Sequence, residues 1–99
     1  MTTTRGKSNV FEDLGFSPEE ALNLHLRAEL MASIERWFSS AGLTQQQAAK
    51  QLGITQPRLN LLLRGRIDDF SLDALVNIAA HAGLSVKMTV RKATLKRAA

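Results

Sequence analysis

Ninety-nine residues, 44% of them apolar, are enough for one small core and leave little over for a second domain. There is no cysteine, which removes disulfides and thiolate metal sites, and the longest apolar run is far too short to cross a bilayer. The net charge of +4 is unevenly placed: residues 1–49 hold four Lys/Arg and six Asp/Glu, whereas residues 50–99 hold nine and three, so the halves carry −2 and +6.

The opening MTTTRGKSN has no core-forming side chain and no apolar stretch of the kind a signal peptide needs. Residues 1–9 are therefore expected to be a disordered tail of a cytoplasmic protein. Val10, Phe11, Leu14 and Phe16 follow on a segment too short for a stable free helix, with Gly15 as its stop. These apolar groups either fold back on the domain or form a partner surface.

Ser17-Pro18-Glu19-Glu20 is a dense helix start, combining a capping hydroxyl, a first-turn proline and the glutamate of a capping box. The apolar positions Ala21, Leu24, Ala28, Met31, Ile34, Phe38 and Ala41, widened by Leu30 and Trp37, predict a helix that runs to Gly42. At about 1.5 Å per residue such a helix spans about 36 Å. That is long for so small a domain, so Leu22 and Leu26 are left over for a second chain.

Two short helices come next. Thr44 caps Gln45 to Leu52, with Ala48, Ala49 and Leu52 inward, and Gly53 supplies the turn. Thr55 caps the second, in which Pro57 is tolerated in the first turn and Leu59, Leu62 and Leu63 form the stripe before Gly65. RIDDF reads as a loop. Ser71 then caps a helix from Leu72 to His81, with Leu75, Val76, Ile78 and Ala79 inward.

Residues 85–91 alternate Val86, Met88 and Val90 with Lys87, Thr89 and Arg91, the period of a half-buried strand. A lone strand has no partner for its backbone groups, so it must pair with another chain or with the N-terminal segment; antiparallel pairing across a two-fold homodimer is the economical solution, with those three apolar residues as the dimerisation set. Residues 92–99 read as a basic tail.

Catalytic chemistry is poorly supplied: His25 and His81 lie on different helices, and no nucleophile, metal-ligand spacing or phosphate loop accompanies them. An enzyme is not expected, nor is a cofactor or a metal. The helix-turn-helix over about 44–64 is the strong signal. No Asp or Glu lies between Glu35 and Asp68, whereas Arg36, Lys50, Arg58, Arg64 and Arg66 fall inside that window, as a phosphate-facing surface requires. A gap of this length also arises by chance in a mildly basic protein.

The second helix has an outward face of Gln56, Pro57, Asn60, Leu61 and Arg64, flanked by Arg58. Gln and Asn can pair bidentately with adenine, Arg with guanine, and Leu61 or Pro57 can touch a thymine methyl. Thr44 with Gln45, and Thr55 with Gln56, begin their helices where backbone N–H groups meet phosphate oxygens. An alanine at Arg58 is on this basis expected to weaken DNA binding by roughly 1–3 kcal/mol. Gln46 reads as solvated and Gln47 as marginal.

GLTQQQAAKQLGITQPRLNLLLRG followed by FSLDALVNIAAHAGLSV resembles the Cro/C1-type (XRE) helix-turn-helix domain. The flanking VFEDLGFSPEEALNLHLRAELMASI and the terminal strand resemble its HigA-like antitoxin branch. The resemblance implies an all-α, compact four- to five-helix, lambda repressor-like domain over residues 10–91, with a C-terminal β-strand paired across a dimer. It also implies an autoregulating repressor that binds an operator in double-stranded DNA and neutralises a RelE/HigB-like mRNA endonuclease toxin. In that pattern Gln45, Gln56, Arg58, Asn60 and Arg64 match DNA-contacting positions, while Leu61 departs from the polar reader usual there. Toxin binding is assigned to Val10, Phe11, Leu14 and Phe16 with the first helix. Two other readings remain: a stand-alone regulator without a toxin, and an interaction module that has lost DNA contact.

Overall fold

A computed structural model describes residues 10–92; the tail of residues 1–9, and all but the first residue of the basic tail, lie outside the described residues. The chain forms a helical turn, α1 (10–13), and then α2 (Pro18–Ala41), α3 (Gln45–Leu52), α4 (Gln56–Leu63), a 3-10 turn (Ile67–Asp69) and α5 (Leu72–His81). No helix of the described residues is long and apolar enough to cross a membrane.

The starts of the four longer helices are set by side-chain chemistry. At α2 the Ser17 hydroxyl accepts from the Glu20 N–H (3.2 Å) and the Glu20 carboxylate accepts from the Ser17 N–H (3.1 Å), a closed capping box. Thr44 and Gln47 close the same box on α3 at 3.1 and 3.0 Å. Thr55 caps α4 by accepting from the Arg58 N–H, and Ser71 caps α5 by accepting from the Ala74 N–H, both at 3.2 Å. Gly42 ends α2 in the left-handed region, which costs a glycine little.

The core gathers Met31 and Ile34 from α2, Ala48, Ala49 and Leu52 from α3, Leu59 and Leu62 from α4, and Leu75, Ile78 and Ala79 from α5. α2 is the backbone of this arrangement, packing along α5 and also against α4 and the 3-10 turn. The core departs from the sequence pattern at three places. RIDDF holds a 3-10 turn, and its Phe70 is a core residue, only 2% exposed. Val76, expected inward, is 36% exposed, because α5 turns Leu75, Ile78 and Ala79 to the core. His25 is buried on α2, its Nε2 3.3 Å from the Glu29 carboxylate.

The expected strand is not seen. Among the described residues no strand forms, and residues 85–92 are irregular and exposed, with Met88 82% and Val90 83% open to solvent. The alternation of Val86, Met88 and Val90 specifies a pleat, but a ladder needs a second strand, and the described residues offer none.

Arg27 ties the long helix to the connection between α4 and α5. Its Nε donates to Asn23 Oδ1 (2.7 Å), and one Nη donates to the carbonyls of both Ile67 (3.0 Å) and Phe70 (3.1 Å). Arg27→Ala is expected to cost roughly 1.5–3 kcal/mol, since it strips a charged donor from two partly buried carbonyls. A urea unfolding curve measures this, and an unchanged midpoint would show that water replaces the arginine.

Candidate nucleic-acid interface

The turn between α3 and α4 is set by Gly53, at φ 74°, whose N–H returns to the carbonyls at the end of α3, while the Ile54 N–H reaches the Ala49 carbonyl (3.0 Å). Fully buried Ala48 and nearly buried Ala49 keep the helix surfaces small where α3 meets α4. Leu59 and Leu62, both fully buried, fix α4 to the core by one face. The opposite face is thereby held outward.

On that outward side Gln45 of α3 and Gln56, Pro57, Asn60 and Leu61 of α4 line one shallow, open concavity. The structure thus brings together five of the residues singled out from the sequence. Leu61 also serves the interior: it is half-buried and packs against the core, so only part of its side chain faces the concavity.

The helix starts present donors beside these side chains. Helical geometry leaves the first-turn N–H groups without intrahelical partners. The Gln47 and Arg58 N–H groups are taken by Thr44 and Thr55, and Pro57 has none, which leaves Gln45, Gln46 and Gln56 to point theirs outward. Because each threonine hydroxyl accepts from its own helix, it retains its proton to donate to a phosphate oxygen.

The cations divide into two groups. Lys50 and Arg64 are exposed. Arg58 and Arg66 are engaged: the Arg58 guanidinium lies 4.3 Å from the centre of the Phe70 ring and donates to the Asp69 carbonyl (3.3 Å), and Arg66 pairs with the Asp69 carboxylate at 3.6 Å. The Arg66 pair is solvent-exposed and holds its arginine weakly. Arg58 sits on an aromatic face and does not line the concavity. Any loss of DNA affinity in Arg58→Ala therefore includes a structural part, which a melting curve recorded beside the titration separates.

Three contributors escaped the sequence reading. Gln47 belongs to the capping box of α3, legible as Thr-x-x-Gln. Phe70 and Arg27 position the connection on which Arg58 rests, and no local periodicity marks either.

The remaining sequence-assigned residues lie elsewhere. Val86, Met88 and Val90 line a broad apolar groove with Leu22, Leu26 and Val76, between α2 and α5. Val10, Leu14 and Phe16 are exposed near the start of α2, with the half-buried Phe11 ring edge-on to Phe16 at 6.4 Å.

Two short capped helices at a left-handed glycine turn, the second anchored by leucines and presenting polar side chains outward, define a helix-turn-helix domain. A family model described as a helix-turn-helix domain matches residues 10–91, and the chain belongs to that family. No curated protein matches the chain.

Proposed function

We propose that the protein is a sequence-specific DNA-binding transcriptional repressor, and that it is the autoregulating antitoxin of a type II toxin-antitoxin pair, directed against a RelE/HigB-like mRNA endonuclease. The observation that carries the DNA-binding reading is the concavity of Gln45, Gln56, Pro57, Asn60 and Leu61, flanked by the caps of Thr44 and Thr55. Amide side chains there can read adenine edges, Leu61 and Pro57 can contact thymine methyls, and Lys50 and Arg64 can neutralise phosphates.

The protein acts as a homodimer in this reading. The backbone groups of residues 85–91 pair with those of a second copy, Val86, Met88 and Val90 are covered in the process, and two α4 helices enter successive major grooves about 34–36 Å apart. The antitoxin reading is supported by the exposed apolar side chains of Val10, Leu14 and Phe16, which the core does not use.

The test is binding to a duplex from the protein's own promoter, measured across a salt series, together with co-expression of the neighbouring reading frame. Salt-sensitive binding and rescue of growth support both parts. Binding without rescue leaves a stand-alone regulator, and no shift of any duplex at low salt removes the DNA reading.

A further inference from the structure

The described N-terminal part of the chain and the helix-turn-helix carry opposite charge. Residues 10–35 contain six carboxylates and one cation, Arg27, whereas residues 36–67 contain five cations and no carboxylate. Arg27 spends its guanidinium on neutral oxygens of Asn23, Ile67 and Phe70. Among the described residues, Glu12, Asp13, Glu19, Glu20 and Asp68 have no ion-pair partner.

These carboxylates surround an apolar patch. Val10 is 55% exposed, Leu14 69% and Phe16 42%; Glu12 and Asp13 stand within the same short segment, and Phe16 shares a depression with Glu19, Glu20, Asp68 and the single cation Arg27. Apolar side chains left in water at a charged rim are the anatomy of an interaction surface. The sign of the rim excludes nucleic acid and anionic lipid as occupants, because each carboxylate repels a phosphate.

We propose that this N-terminal face docks a basic, amphipathic segment of a partner polypeptide, its apolar side chains against Leu14 and Phe16 and its Lys/Arg side chains against the carboxylate rim. The proposal rests on reading the N-terminal segment as partner-binding, and adds to that reading the chemistry of the partner. The charge division sorts two ligands onto one small domain: DNA to the acid-free face, the basic polypeptide to the acidic one. Complementary charge on such a rim governs encounter and selectivity, and the apolar centre supplies the holding contacts.

A fluorescein-labelled helical peptide of Leu and Lys at amphipathic spacing is the probe, with a Leu/Glu peptide of the same spacing as its control, and fluorescence anisotropy with the full chain is the readout. The Leu/Lys peptide is expected to bind and the Leu/Glu peptide not. Two variants, Leu14→Ser/Phe16→Ser and Glu12→Gln/Asp13→Asn, should each weaken binding by about tenfold or more, while selective duplex binding, which belongs to the α3–α4 face, is retained and shows that the domain is folded. Equal binding of the Leu/Glu peptide, or unaltered affinity in both variants, overturns the proposal. A self-association of the protein alone that Leu14→Ser/Phe16→Ser abolishes also overturns it, by giving the face to a second copy. Equal binding of both peptides that Leu14→Ser/Phe16→Ser abolishes would keep the segment as partner-binding and sink only the basic partner, so the two readings fail separately.

Discussion

Phe70→Ala is expected to destabilise the domain by about 3–5 kcal/mol, the usual cost of deleting a buried phenyl ring. The whole stability of a domain this size is of the order of 5–15 kcal/mol, so the variant should lose a large share of its stability and melt at a markedly lower temperature. Three interactions converge on this one residue. Its ring is part of the central core, with α2, α4 and α5 around it. The outer face of the ring carries the Arg58 guanidinium at 4.3 Å, and the residue's carbonyl accepts from Arg27. Removal of the ring leaves a cavity between helices and also frees Arg58 from the surface that orients it. A urea or thermal unfolding curve measures the loss; a change below about 1 kcal/mol would mean that the ring is not the keystone its burial indicates.

Asn60→Ala should weaken binding to the preferred duplex by roughly 1–3 kcal/mol, about 5- to 150-fold, and should relax selectivity at a single base position. Asn60 lies on α4 between Leu59 and Leu62, which are fully buried, so its side chain is held outward by the same anchoring that stabilises the helix. It lines the concavity with Gln45 and Gln56 and makes no side-chain hydrogen bond among the described residues, so its amide is free to pair with N6 and N7 on the major-groove edge of an adenine. Asn60 is half-buried and alanine is the better helix former, so the change costs little stability, which separates this variant from Phe70→Ala. A set of duplexes each changed at one position measures the effect. Uniform weakening across the set would recast Asn60 as a phosphate contact, and no weakening would remove it from the reading face.

The two predictions mark the boundary of what the sequence discloses. Helix starts and stops are legible because they are local: Ser17, Thr44, Thr55 and Ser71 each cap the helix that their position in the sequence announces. The outward set on α4 is legible because a 3.6-residue period with Leu59 and Leu62 inward places Gln56 and Asn60 outward. Phe70 is not legible. It stands in a five-residue connection without periodicity, and its burial depends on Arg27, 43 residues earlier, drawing that connection onto α2. The role of Arg58 is hidden for the same reason: its spacing on α4 suits a groove, and only the position of Phe70 shows what the guanidinium rests on. The terminal alternation at Val86, Met88 and Val90 is plain in the sequence, but a strand is a property of two backbones, and the described residues supply only one.

The central claim is that the concave face of α3 and α4 reads duplex DNA. It is tested most directly by following backbone amide resonances while the protein is titrated with a duplex selected from a random pool. The largest shifts are predicted at Gln45, Gln56, Asn60 and Leu61, with residues 10–35 little changed. Shifts concentrated at Val10 to Phe16, or spread evenly over the domain with none larger at α4, would contradict the account.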